Sequence, residues 1–215
     1  MINYFISILF SCLLASCSAN SLQSIDKKAN EQVNQLVVNQ MADQLKKEYK
    51  KLSSNPNVVE FQEDYFNAFP NSFQIFNSLF GYSDKDPFGN ETFVSPLYKE
   101  SEGYIDVFFK LNKIEKTRYF NRIIDISING RWYADGVSYF KHRMEEKINE
   151  DINLFSKLLI IRDDMEIQKF WYFYFDGPHP IKTLPDELQK VKEINGRLFL
   201  IMELALKEVQ QNWKE

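Results

Sequence analysis

The sequence predicts an all-α protein, a single multi-helix domain with an aromatic-rich core. Three observations carry that expectation. Apolar residues recur at three- and four-residue steps through most of the chain, as in helices with one buried face. Strict alternation of apolar and polar residues is confined to one short stretch, Ile124 to Ile128. Aromatic residues make up 15% of the 215 residues, with 19 Phe, 11 Tyr and 3 Trp, so large rings dominate the available packing material.

The chain opens on an apolar run. Tyr4 to Ala15 carries no charge, suits the core of a secretory signal, and is too short to span a bilayer. It ends on small residues, Ala15 and Ser16, directly before Cys17. Leu14-Ala15-Ser16-Cys17 resembles the lipobox of bacterial lipoproteins, a Leu-like residue and two small ones ahead of the cysteine. The resemblance covers the first seventeen residues and implies cleavage before Cys17 with lipidation of Cys17 itself. The organisation expected is then a signal peptide over 1–16, a lipidated tether over 17–24 and a helical domain over 25–215. Met1-Ile2-Asn3 departs from the family in having no Lys or Arg. Leu9-Phe10-Ser11-Cys12 is a poorer match, because Phe10 is too bulky for its position. Ser18, rather than Asp, follows the cysteine, which in this family implies the outer membrane, here facing the periplasm. Each buried methylene contributes about 0.8 kcal/mol, so one acyl chain holds marginally and the family's several chains hold stably.

The helical pattern starts near Ile25 and continues through Ala29, Val33, Val37, Met41, Leu45 and Tyr49, until Ser53-Ser54-Asn55-Pro56-Asn57 ends it. Val58, Phe61, Tyr65 and Phe69 form the next stripe. Ser72 is a candidate N-cap for Phe73, Phe76, Leu79 and Phe80, with Gly81 as the stop. Tyr82 to Leu97 is irregular, with Asp86-Pro87, Phe88-Gly89-Asn90 and Ser95-Pro96 as turn signals, and is the best candidate for a loop that carries function. A helix from Tyr98 buries Ile105, Phe108 and Phe109. Over 123–134, Ile124-Asp125-Ile126-Ser127-Ile128 alternates like a strand and Asn129-Gly130 is a favoured hairpin turn. The second limb is short, so a helix stopped by Gly130 is preferred and a small hairpin is the alternative. Val137, Phe140, Met144 and Ile148 mark a further helix, followed by Leu154 to Ile161. Phe170 to Phe175 reads as a buried strand or, from its lead-in, as a helix ended by Gly177-Pro178. After Pro185 one long helix is expected to close the chain, its seam formed by Leu188, Val191, Leu198, Met202, Ala205 and Val209 with Asn195 as the polar member.

A net charge of −4 without a basic stripe argues against nucleic acid as a partner. The only cysteines are Cys12, in the signal segment, and Cys17. The domain is therefore expected to use no disulfide, thiolate zinc site or thiol nucleophile. Walker, dinucleotide-binding, Gly-x-Ser-x-Gly and His-Glu-x-x-His motifs are missing, and no cofactor is expected. With two histidines, His142 and His179, a three-histidine zinc site is excluded. The carboxylates Glu60, Glu63 and Asp64, Glu145 and Glu146, and Asp163 and Asp164 read as solvated helix faces.

The most distinctive string is Asp176-Gly177-Pro178-His179-Pro180. Asp176 and His179 are the candidate binding residues: three apart on a rigid loop, they can pair as base and orienter or supply half a metal site. The plainer reading, preferred here, is a helix stop with Gly177 at positive φ, its polar side chains satisfying nearby backbone groups. The leading functional expectation is a non-enzymatic, membrane-anchored envelope lipoprotein that binds a periplasmic protein partner. An immunity-type protein blocking an incoming toxin is one form of it. The alternative is a lipid-tethered periplasmic hydrolase acting through carboxylates and His179.

Overall fold

The computed structural model of the chain describes residues 34–83, 93–133, 135–179 and 181–213. The expected signal segment 1–16, Cys17 with the expected tether 17–24, the expected helix start at Ile25 and the middle of the 82–97 loop lie outside the described residues. The chain divides into two compact units, residues 1–40 and 41–215. In the first, residues 34–40 are helical.

The second unit is all-α. Its helices are α1 (41–54), α2 (Val59–Ala68), α3 (Phe73–Phe80), α4 (Ser101–Lys110), α5 (Lys116–Ser127) and α6 (Asp135–Glu150). The C-terminal set is α7 (Ile152–Leu159), α8 (Asp164–Phe175), α9 (Asp186–Ile194) and α10 (Gly196–Asn212). A 3₁₀ turn, Tyr98–Glu100, leads into α4. Two-residue strands β1 (Tyr82–Ser83) and β2 (Phe93–Val94) pair antiparallel at the base of the 82–97 loop.

Short polar side chains set where these helices start. Ser72, Asp151, Asp163 and Asn195 each accept a hydrogen bond from a backbone N–H in the first turn of α3, α7, α8 and α10. Glu115 opens α5 by accepting from Thr117 N and Arg118 N, both at 2.8 Å, and these bonds hold its carboxyl below the ordinary range. Asp163 thus serves as a cap. Glu63 and Asp64 of the expected solvated faces make ion pairs with Arg118 and Lys51.

The core is a chain of rings. Phe69 and Phe108 stack with centroids 4.1 Å apart, and Phe108 stacks in turn on Tyr119. Phe76 packs edge-on against Phe140, and Phe155 sits against Phe170 and Trp171. The buried phenols find carbonyls: Tyr65 donates to Tyr104 O at 2.7 Å and Tyr119 to Phe108 O at 3.1 Å, and burial raises the pKa of both. Arg122 donates to the carbonyls of Phe66 and Phe69 at the end of α2, while its guanidinium lies 4.5 Å from the Phe66 ring.

The structure decides several expectations. Over 123–134 the preferred helix forms, as α5 up to Ser127, and among the described residues the alternative hairpin does not. Ile123, Ile124, Ile126 and Ser127 all point inward from α5, a spacing that only a helix buries together. Asn129 takes φ 66° in the turn that follows. Gly130 has a different role: a Cβ there would meet the Phe173 ring at 2.4 Å. Phe170 to Phe175 is helical throughout. The closing helix is two helices, because Asn195 leaves helical geometry at φ −160°, donates its N–H to Val191 O at 2.8 Å, and caps α10 through Leu198 N at 2.9 Å. Gly177 has no positive φ, and a Cβ there would touch nothing within 4 Å.

Gly130→Ala should therefore destabilise the domain by about 1–3 kcal/mol through overpacking against Phe173, whereas Gly177→Ala should stay within about 0.5 kcal/mol of wild type. Asn195→Ala should cost about 1 kcal/mol through loss of a cap. Urea titrations of the three variants check the order.

Candidate functional site

Asp176 follows the last residue of α8. Its carboxylate is committed: Oδ2 accepts from Trp132 N at 2.7 Å, tying the loop after α5 to the end of α8. Its carbonyl, one of those left open by the helix terminus, accepts from the Lys141 ammonium of α6. Lys141 is only 8% exposed, and its Nζ lies 5.4 Å from the centre of the Phe173 ring. Burial lowers its pKa to about 8, against the pull of the Asp176 and Glu145 carboxylates. Glu145, one turn further along α6, is half-buried and pushed up by that burial. Tyr174 is pushed up likewise. The resulting cluster joins α6, α8 and the 131–133 segment.

His179, by contrast, is exposed, and among the described residues it makes no hydrogen bond or ion pair. The structure does not bring the two sequence candidates together: Asp176 turns to Trp132 and Lys141, and His179 stands in solvent. Among the described residues no group of three or more His, Cys, Asp or Glu side chains is placed to hold a metal ion. The Lys141 cluster is thus an α8 terminus closed by a lysine and a carboxylate. It can latch three segments together, and its proton affinity couples that latch to alkaline pH.

The continuation of the same loop borders a groove of about 450 Å³ between residues 182–184, α9 and α10. Gln210 holds the loop in place, donating to Ile181 O at 2.9 Å and Lys182 O at 3.1 Å. Leu184 and Leu206 line the groove beside Leu200 and Leu204. The last two are 57% and 50% exposed and lie one turn apart on α10, so they form one apolar ridge. Around the ridge stand Lys182, Glu203 and Lys207. Among the described residues none of these three side chains forms an ion pair or hydrogen bond, although Glu203 and Lys207 have the favourable i,i+4 order for pairing. The groove thus has an apolar centre and a charged rim, a combination that protein interfaces also show.

This ridge was missed from sequence, yet it left a signal. Leu200 and Leu204 fall off the seam of Leu198, Met202, Ala205 and Val209, all of which are buried. Apolar residues off the seam of an amphipathic helix need a second explanation. Lys141 left one too, standing directly beside Phe140 in the buried stripe of α6.

The Lys141 cluster makes a pH prediction. Its folded pKa, about 8, lies below the unfolded value of 10.5. Between these values the unfolded chain binds more protons, so stability rises with pH from about 8 to 10.5 and the gain is lost as pH falls through 8. Relative to Lys141→Met, wild type should gain about 1–3 kcal/mol between pH 7 and pH 10. Urea titrations at the two pH values measure it, and a difference that does not change with pH counts against the buried ammonium.

The chain matches no protein family, no curated protein and no solved structure.

Proposed function

We propose that the protein is a lipid-anchored envelope protein, held at the periplasmic face of the outer membrane through Cys17, whose helical domain binds a protein partner without performing chemistry. The observation that carries the binding half of this reading is the exposed Leu200–Leu204 ridge with its unpaired charged rim. Two large apolar side chains left half in water lose transfer free energy that a partner recovers, about 25 cal/mol for each Å² covered. The anchoring half is supported by Leu14-Ala15-Ser16-Cys17 and by the uncharged run before it. No helix of the described residues is long and apolar enough to cross a membrane.

The hydrolase alternative needs Asp176 and His179 at one place. With the Asp176 carboxylate engaged by Trp132 N and His179 in solvent, no observation favours it.

Two measurements test the proposal. Cys17→Ala should abolish incorporation of labelled fatty acid and release the protein from the membrane fraction, while normal processing and anchoring of the variant would refute the lipid anchor. Leu204→Glu should leave the melt within about 0.5 kcal/mol of wild type, as expected for an exposed position, and should abolish partner capture by the anchored protein. Undiminished capture by Leu204→Glu would move the binding surface elsewhere.

A further inference from the structure

We infer that the occupant of the α10 groove is a second copy of this chain, paired through α10 about a two-fold axis near Leu204. The inference rests on the reading of the ridge as a protein-binding patch and goes on to name what binds. An isologous contact must be self-complementary, because the same patch meets itself. A patch with charge of one sign would repel its copy. This one carries both signs, Glu203 against Lys207 and Lys182, around an apolar centre, and none of the three is neutralised within the chain among the described residues.

The helix geometry supplies the register. With Leu204 at the axis of an antiparallel pair, the Leu204 side chains of the two copies meet, and Leu200 of each flanks them. A rise of 1.5 Å per residue then places Glu203 roughly 3 Å along the axis from both the partner's Glu203 and the partner's Lys207, and Lys207, turned about 60° from Leu204 against about 100° for Glu203, is the nearer of the two. Symmetry makes a second such pair. The ion pair that Glu203 and Lys207 could form within one helix is thus formed twice between helices.

The test uses the full-length anchored chain, solubilised in detergent, in two charge variants carrying different tags. Glu203→Lys alone sets two cations against each other across the axis, and Lys207→Glu alone sets two carboxylates. Each variant alone should dimerise at least tenfold more weakly than wild type in sedimentation or mass photometry. Mixed together they should form a heterodimer, because position 203 of one then faces position 207 of the other with opposite charge at both contacts. Leu204→Glu should be monomeric, with an unchanged circular dichroism spectrum and melt.

A wild-type chain that stays monomeric at 100 µM overturns the inference, and so do single variants that dimerise as wild type does. A photo-crosslinking amino acid at position 204 in intact cells separates the two levels of the argument. A crosslinked homodimer supports the second copy. A crosslink to a different envelope protein overturns the second copy and leaves the binding patch standing. No crosslink to any protein overturns both.

Discussion

The stacked contact between Phe69 and Phe108, rings 4.1 Å apart and 11° from parallel, is the point through which the N-terminal half of the domain is organised. Phe69 lies just past the end of α2 and Phe108 near the end of α4, so the contact joins two helix termini, where backbone groups are left without helical partners. Both termini are satisfied by side chains of α5. Arg122 donates to Phe66 O and Phe69 O, and Tyr119 donates to Phe108 O while its ring extends the stack. Apolar burial and polar satisfaction are therefore solved by the same helix. Removing a ring here would open a void and also loosen the helix that closes two others.

The C-terminal half repeats the solution with different groups. The end of α8 is closed by the Lys141 ammonium, and the Asp176 side chain fastens Trp132 N of the loop after α5. Phe173, whose ring lies beneath that ammonium, also leaves no room for anything larger than Gly130. The groove then lies on the far side of the same loop, its wall fixed by Gln210.

Much of this was legible in sequence, for reasons that differ by residue. Val137, Phe140, Met144 and Ile148 are all buried because a helix of 3.6 residues per turn leaves no other way to gather them. Ser72 caps α3 because its short side chain reaches the first-turn amides. The Ile25–Tyr49 stripe held less well: steps of four drift around a helix, so Leu45 is buried with Ala42 and Leu52 while Val37 is exposed. Asn195 was read as a polar seam residue, but a polar residue that competes with the backbone ends one helix and begins the next. The candidate site was less legible. Asp176 was picked out correctly as a polar group serving the backbone. Its main partner, Lys141, is 35 residues away, and pattern alone cannot pair the two. Nor can pattern distinguish a core leucine from Leu200 or Leu204, because exposure depends on whether another element happens to cover that face.

Trp171 gives the core an optical handle. Its indole is fully buried among Phe155, Phe170 and Tyr174, and among the described residues its Nε1–H meets no hydrogen-bond acceptor. An indole without a polar partner emits toward the blue, whereas Trp213 is 38% exposed and Trp132 is engaged with Ser138 Oγ near the surface. The native emission is then the sum of one buried chromophore and two more exposed ones. A red shift that precedes global unfolding would report water entering between α7 and α8, giving a view of how the C-terminal helices come apart that needs no introduced label.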